Sequence, residues 1–436
     1  MGNGIVSGHM ENTELKIVLI TILAVFFAGC LSKESIKTPF KKPLPHRSLY
    51  RMESTHLERV GEELHFGNSK KYQRRGVTVV LLKGNPYEVG YARGVLLKKE
   101  IEHWARDRLA RIRKKSIGTS IGKKWMIRRA KEVEEFIPGE LKEELSGLSA
   151  GAQIDYDLIL MLNLLETIAH EFGCTSVAVR GSDGRMLRSH NQDGSKGNYM
   201  GPWTLAIYRP TKGYGFASVC PPGFIGVWTA MNEKRLTFGT HNISGAKAGN
   251  SWRGLSTALL NRRIIQYSST VEEAGETLGQ YSRSLPRMFM VASPNKARIY
   301  EYDSKHIRFK RMDSEYLVLT NHTHMLSWGH EYPHSVVRYD QAKDYLDRNR
   351  NKMDLNKLVE LNRLDNISWA YHEHVANLNS TIFRPETLDF WVAVDPPPAT
   401  RRKWMGFNLE KELNGRGNDP EPLVIPATDV SKHRFY

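Results

Sequence analysis

One stretch of this chain holds the parts of a nucleophile that activates itself: Phe172-Gly173-Cys174-Thr175-Ser176. Gly173 has no side chain, so the Cys174 thiol can reach the Gly173 carbonyl. Attack there moves the acyl group from nitrogen to sulfur, and water then releases it. The second product begins at Cys174. Its freed α-amino group, with a pKa of about 8 beside a thiol of about 8.5, is a base suited to neutral pH. One residue then carries nucleophile and base together. Two parts remain to be supplied: an acid to hold the amine, and hydrogen-bond donors for the oxyanion of an attacked amide.

The elements around Cys174 change character at the same bond. Upstream, residues 78–82 are an apolar strand run. Asn85-Pro86-Tyr87-Glu88 then opens a helix, with Asn85 as cap, Pro86 at the first helical position and Glu88 completing a capping box. Val89, Ala92 and Leu96 recur at helical spacing. Helical patterns run on to His170, with Pro138 and Asp155 at helix starts. From Cys174 the pattern alternates in strand fashion, turns at Gly181-Ser182-Asp183-Gly184 and begins a second strand at Met186. Further strands are expected at 203–208, 215–219, 225–229, 236–241, 287–291, 298–302, 316–319, 380–384 and 388–394. Helices are expected at 255–267, 271–281, 336–348 and 355–364. Strands in runs rather than in strict alternation with helices predict antiparallel sheets faced by helices, an α+β fold.

At the N-terminus, residues 17–28 are apolar and follow Lys16. A dozen residues is short for a bilayer span and suits the core of a signal peptide. The run ends in Phe27-Ala28-Gly29-Cys30, which resembles a bacterial lipoprotein cleavage site. This predicts lipidation of Cys30 and an exported protein anchored to the cell membrane. Residues 31–70 read as a tether. The organisation expected is therefore 1–30 signal and anchor, 31–70 tether, 71–173 helical first chain and 174–436 catalytic body.

The chain has 436 residues and a net charge of +16. Between Arg106 and Lys131 eleven Lys and Arg face the single acid Asp107. The default reading is a solvated helical face. No zinc-finger spacing, RNA-recognition signature or arginine-rich tail points to nucleic acid. Three cysteines are too few for a disulfide framework. Cys220, before Pro221-Pro222, reads as a buried structural thiol.

From Gly84 to about Asn408 the chain resembles the isopenicillin N acyltransferase family and, more distantly, penicillin V acylases and bile salt hydrolases. The resemblance rests first on Gly84-Asn85-Pro86-Tyr87-Glu88-Val89-Gly90-Tyr91-Ala92-Arg93-Gly94. Ile154-Asp155-Tyr156-Asp157-Leu158-Ile159 and Asn163-Leu164-Leu165-Glu166 continue it, and Gly173-Cys174-Thr175-Ser176 matches the family's cut and nucleophile. It implies an N-terminal nucleophile hydrolase with a four-layer αββα sandwich, no cofactor and no metal. It also implies roles. Asn191-Gln192-Asp193 resembles an Asn-x-Asp motif whose aspartate, Asp193, holds the amine. Met231-Asn232-Glu233-Lys234 with His241-Asn242 resembles the stretch that supplies an oxyanion asparagine, Asn242. Thr320-Asn321-His322 brings Asn321 beside the nucleophile, and Ser335-Val336-Val337-Arg338 brings Arg338. Each motif alone would pass for a turn, a cap or a surface helix residue; their shared order carries the reading. Two positions depart from the pattern: Arg235 replaces a glycine, and His190 stands where bile salt hydrolases carry arginine.

The activity implied is hydrolysis, or acyl transfer, of small N-acyl amides or lactams through a Cys174 thioester, with the two cut chains remaining associated. Two other readings stand beside it. His322-Thr323-His324 and His372-Glu373-His374 each place two histidines on one strand face, as in a metal-dependent hydrolase. A lipid-anchored, non-catalytic binding protein on the same fold is the other.

Overall fold

The computed structural model describes residues 56–115, 120–165, 172–195, 201–243, 251, 253–326, 333–369 and 375–428. The signal, Cys30 and the pair His372 and His374 lie outside the described residues. The first segment holds β1 (Glu58–Val60), β2 (Glu63–Phe66), β3 (Ser69–Arg74) and β4 (Val77–Gly84). Helices α1 (Pro86–Leu96), α2 (Lys98–Lys115), α3 (Ser120–Glu134), α4 (Gly139–Ala152) and α5 (Tyr156–Asn163) follow. The body begins with β5 (Phe172–Arg180), β6 (Met186–Ser195), β7 (Thr204–Pro210), β8 (Phe216–Cys220), β9 (Thr229–Asn232) and β10 (Thr237–Asn242). Then come α6 (Thr257–Tyr267), α7 (Val271–Gly279), β11 (Arg287–Ala292), β12 (Ala297–Tyr302), β13 (Ile307–Arg311) and β14 (Tyr316–Leu319). The last part holds α8 (Pro333–Arg348), α9 (Leu355–Asn362), α10 (Asp365–Ser368), β15 (Val375–Arg384), β16 (Asp389–Ala393), β17 (Trp404–Asn408), α11 (Leu409–Asn414) and β18 (Val424–Ile425).

Two sheets result. One has eleven strands in the order β1-β2-β3-β4-β7-β8-β9-β10-β11-β12-β13, and the other seven, β14-β5-β6-β15-β16-β17-β18. Every pairing is antiparallel except β4 with β7. β10 packs across onto β5, α6 and α7 cover the larger sheet, and α8, α9 and α10 cover the smaller one. The layers are therefore αββα. Ala178, Met186, Met288, Met290 and Leu319 form the core between the sheets. Val177, Leu187, Leu346 and Leu358 form the core under the outer helices. Alternating β5 residues feed the two cores, as the two-residue strand period requires.

Local chemistry explains the first segment. Asn85 Oδ1 accepts from the Glu88 N–H at 3.1 Å, and Glu88 Oε2 accepts from the Asn85 N–H at 2.8 Å, the expected capping box. Gly90 and Gly94 of α1 meet Gly147 and Gly151 of α4. A Cβ at Gly90 would lie 2.0 Å from the Glu144 carbonyl oxygen, so the two helix backbones touch.

The tether expected over 31–70 does not hold for its described part. Residues 58–66 form the β1–β2 hairpin, and β3 begins at Ser69. The mixed Lys, Glu and His side chains hide the strand period because this sheet edge is largely solvent-exposed on both faces. The segment 71–173 is likewise more than helical: β4 runs parallel to β7, joining the first segment to the body's own sheet. The strand expected at 225–229 is also absent before Thr229. There the Ile225 N–H donates to Asn163 Oδ1 and the Val227 N–H to the Ala258 carbonyl, partners from helical regions rather than a strand.

Candidate active site

Cys174 lies near the start of β5, opposite Gln192 of β6, and is 2% exposed. Ser176 pairs with His190 and Ala178 with Arg188, so this row of side chains points between the sheets. The alternate row, Gly173, Thr175, Asn191 and Asp193, faces the outer helices.

All five residues expected at the site converge on the Gly173–Cys174 bond. The Cys174 N–H donates to Asn321 Oδ1 at 2.8 Å. Arg338 Nη2 donates to the same oxygen at 2.6 Å. Arg338 Nη1 donates to the Cys174 carbonyl at 2.5 Å and to Thr175 Oγ1 at 2.8 Å. Asn321 Nδ2 in turn donates to the Asn242 carbonyl at 2.7 Å, tying β10 to the loop after β14. The Asn321 N–H donates to Ser335 Oγ at 2.6 Å, and the Ser335 hydroxyl donates to Thr320 Oγ1 at 2.9 Å. Ser335 and Arg338 are three apart on α8, one turn, which lets one helix hold both Asn321 and Cys174.

Asp193 sits across from Gly173. A Cβ on Gly173 would come 3.7 Å from Asp193 Oδ2 and 3.8 Å from Arg338 Nη2, so the glycine lies directly against this acid and base. Asp193 Oδ1 accepts from Asn377 Nδ2 at 3.0 Å, and Oδ2 stands 3.9 Å from Arg338 Nη1. Burial pushes the Asp193 carboxyl up to about 7 against the pull of Arg338, Asn377 and the Trp369 indole. Burial and the neighbouring Asp193 also raise the Cys174 thiol, while Arg338 and the backbone N–H groups of Asn242 and Asp193 favour its thiolate. Asn242 is 9% exposed, and its Oδ1 is buried without a hydrogen-bond partner. A buried amide left part-unsatisfied has capacity for an incoming polar group.

Some contributors escaped the sequence reading. Asn377 lies at the β15 bulge, where its pairing with β6 shifts register before Asn379. Its Nδ2 holds Asp193, while its Oδ1 accepts from the Thr400 N–H at 3.0 Å and from Ser380 Oγ at 3.1 Å. The polar run Asn377, Asn379, Ser380, Thr381 inside an otherwise apolar strand was the available signal. Trp369, at φ +50°, lies under the Arg338 guanidinium, 5.6 Å from ring centre to Cζ. A bulky residue in the left-handed region is strained, and such strain gathers at functional sites.

Behind Cys174 lies a second polar group. His241 Nδ1 donates to the Thr320 carbonyl at 2.9 Å, which leaves its Nε2 to accept from the Ser176 hydroxyl at 2.8 Å. Ser176 Oγ then accepts from His190 Nδ1 at 3.0 Å and from Arg188 Nη2 at 3.2 Å. Burial holds both imidazoles well below their usual pKa, so they are neutral. Arg188 is fully buried, has no carboxylate at ion-pair distance among the described residues, and is lowered to about 9 by burial. A Cβ at Gly239 would fall 1.7 Å from Arg188 Nη2, so only glycine admits this guanidinium.

Arg235 takes φ +67°, the conformation glycine adopts without strain, so the turn is formed with the unusual residue in place. Cys220 is buried, and Arg93 Nη2 donates to its Sγ at 3.1 Å. His322 Nδ1 lies 2.8 Å from Ser335 Oγ, and among the described residues no three His, Cys, Asp or Glu side chains gather as a metal site.

Comparison with known proteins adds three kinds of likeness. Residues 179–398 match the family model described as acyl-coenzyme A:6-aminopenicillanic acid acyl-transferase. That span contains Asp193, Asn242, Asn321 and Arg338 and opens five residues after Cys174. An uncharacterised protein of Archaeoglobus fulgidus is 25% identical over 248 residues, half of this chain; the match takes in 41% of that relative's length. A variant of conjugated bile acid hydrolase from Clostridium perfringens overlays 57% of this chain and 95% of its own, at 13% identity and a TM-score of 0.42. Penicillin V acylase from Agrobacterium tumefaciens overlays 56% and 90%, at 13% identity and a TM-score of 0.39. The family match spans half of the chain, and on that ground the protein belongs to the acyl-coenzyme A:6-aminopenicillanic acid acyl-transferase family.

Proposed function

We propose that this protein is an N-terminal nucleophile enzyme that cuts itself between Gly173 and Cys174 and then cleaves small N-acyl amides or lactams. Family membership supports the coarse activity, amide hydrolysis or acyl transfer. The observation that carries the finer reading is the hydrogen bond from the Cys174 nitrogen to Asn321 Oδ1. The atom that would become the α-amine is held by an asparagine that Arg338 fixes in turn.

In the first step the Cys174 thiol attacks the Gly173 carbonyl. The C–N bond breaks, a thioester forms, and water hydrolyses it to a Gly173 carboxylate and a free Cys174 amine. The amine keeps Asn321 as acceptor, with the Asp193 carboxylate alongside. In turnover the amine takes the thiol proton as sulfur attacks the substrate carbonyl. The Asn242 side-chain amide, with a backbone N–H, binds the oxyanion. The amine passes its proton to the leaving nitrogen, and the acyl group stays on sulfur. Water, activated by the same amine, completes hydrolysis; an amine acceptor in its place gives acyl transfer. Water is the acceptor expected of an exported protein.

The cut chains remain one molecule in this scheme. The first supplies β1–β4 to the eleven-stranded sheet and Glu144 to a buried pair with Arg262. Export and a lipidated Cys30 complete the proposal. The test is intact mass of the purified protein beside its Cys174→Ala variant. Two fragments meeting at Gly173–Cys174 in the parent, with an intact and inactive variant, are expected. An uncut parent, or amidase activity persisting in the variant, would overturn it.

A further inference from the structure

The helical pair α2–α3 gathers much of the chain's positive charge, and part of that charge has no counter-ion among the described residues. Arg111 pairs with Asp107 at 2.7 Å, Arg129 with Glu132 at 2.6 Å and Lys131 with Asp157 at 3.0 Å. Lys123, Lys124 and Arg128 make no ion pair among the described residues. Met126, Ala130 and Val133 turn α3 inward. Lys124, Arg128 and Lys131 therefore form an outward stripe at i, i+4 and i+7. Trp125 lies beside that stripe, 40% exposed, with the Arg129 guanidinium 5.5 Å from its ring centre.

A merely solvated face accounts for the lysines and arginines but not for the indole. Exposing a tryptophan to water forgoes a large burial gain. Indoles and cations together on one helix face are the mark of elements that lie in the headgroup layer, ring among the acyl boundary and cations against phosphates. We propose that the outer face of α3, Lys123 to Arg128 with Lys131, docks onto an anionic phospholipid bilayer. The site is separate from the active centre, and the proposal stands whether or not Cys30 carries lipid.

The test uses the full chain with Cys30→Ser, so that no acyl chain contributes, and vesicles of phosphatidylcholine alone or mixed with phosphatidylglycerol. Co-sedimentation with the anionic vesicles, weakened by high salt, is expected. Each cation near such a surface is worth about 1 kcal/mol, so Lys123→Gln with Lys124→Gln and Arg128→Gln lowers the partition about a hundredfold. Trp125→Ala lowers it several-fold at unchanged net charge, which a purely electrostatic contact would not show. All three positions avoid the buried face of α3, and an unchanged thermal midpoint confirms the fold. Equal binding to both vesicle types, or no loss in the triple variant, would overturn the proposal. Binding to duplex DNA or RNA without binding to vesicles, lost in the same variant, would overturn it in favour of nucleic acid.

Discussion

At the seam between the first segment and the body, Arg262 of α6 and Glu144 of α4 form a buried pair. Nη2 lies 3.0 Å from Oε2 and Nη1 3.3 Å from Oε1, and Arg262 Nε donates to Gln266 Oε1 at 2.9 Å. The guanidinium stacks 4.0 Å from the Tyr208 ring centre. Nearby, Arg93 donates to the Pro221 and Pro222 carbonyls. Between the sheets the opposite holds. Among the described residues Arg188 has two acceptors, the Phe238 carbonyl and Ser176 Oγ, its Nε has none, and no carboxylate compensates it. His190 Nε2 and Asn242 Oδ1 are also buried and unpartnered among the described residues. The seam satisfies its charges and so holds two pieces together. The candidate active centre leaves polar capacity unused, which a packed core avoids unless something else is to occupy it.

The difference predicts opposite consequences for two carboxylate losses. On the proposed mechanism Asp193→Asn lowers amide turnover by roughly two to four orders of magnitude, because the amine loses the acid alongside it. Its urea midpoint does not fall, because the buried carboxyl it removes is itself a burden on the fold at neutral pH. Glu144→Gln leaves Arg262 buried without its counter-charge and destabilises by about 3–5 kcal/mol, while turnover per folded molecule is preserved. Kinetics and urea unfolding on both variants decide the matter; exchanged outcomes would abolish the distinction. Joint replacement by Glu144→Leu and Arg262→Met sharpens it further. With both charges gone the unpaired ion disappears, and most of the lost stability returns.

Smaller per pH unit is the effect of Asp193 in the uncut chain, where its carboxyl is raised to about 7. Between pH 4 and 7 the folded chain keeps a proton that the unfolded chain releases. Stability therefore falls as pH rises through that window, by up to about 1.4 kcal/mol per pH unit, and levels off above 7. Cys174→Ala, which the proposed mechanism leaves uncut, shows this slope in urea midpoints, and adding Asp193→Asn removes it. In the cut form that the proposal requires, a cationic amine beside Asp193 pulls its pKa down, and the slope shrinks.

The sequence disclosed the two centres unequally. Cys174 drew attention by its own chemistry, whereas Asp193, Asn242, Asn321 and Arg338 were singled out only by the order of short motifs that resemble the family's. Their convergence adds what no motif states, that Arg338 reaches the Cys174 carbonyl and that Asn242 anchors Asn321 through its backbone. Strands such as β7, β8 and β11 announced themselves by apolar runs. The β1–β3 edge did not, because a sheet margin wet on both faces loses its alternation. The seam was equally hidden: Glu144 and Arg262 stand 118 residues apart, and each looks like an ordinary helix charge until α4 and α6 are brought together. Trp369 acts through a left-handed turn, a backbone event without a residue signature, and Asn377 through a bulge whose trace in the sequence is the polar run around it.

Arg188 provides the finest test of the comparison. Were it a second seam, Arg188→Met would destabilise as Glu144→Gln does. The expectation differs. The substitution gives up hydrogen bonds to the Phe238 carbonyl and Ser176, but it also removes a buried cation that no acid offsets. The two changes oppose, and stability shifts by no more than about 1 kcal/mol. Its effect falls instead on Cys174, whose thiolate and the Arg188 charge stabilise each other. In the variant, the pH at which iodoacetamide alkylates the cut enzyme half-maximally rises, and turnover at neutral pH drops several-fold. Arg188→Lys, which keeps the charge on a shorter reach, restores part of both. An unchanged alkylation profile together with a lowered urea midpoint would make Arg188 a packing residue, and the active centre would then resemble the seam after all.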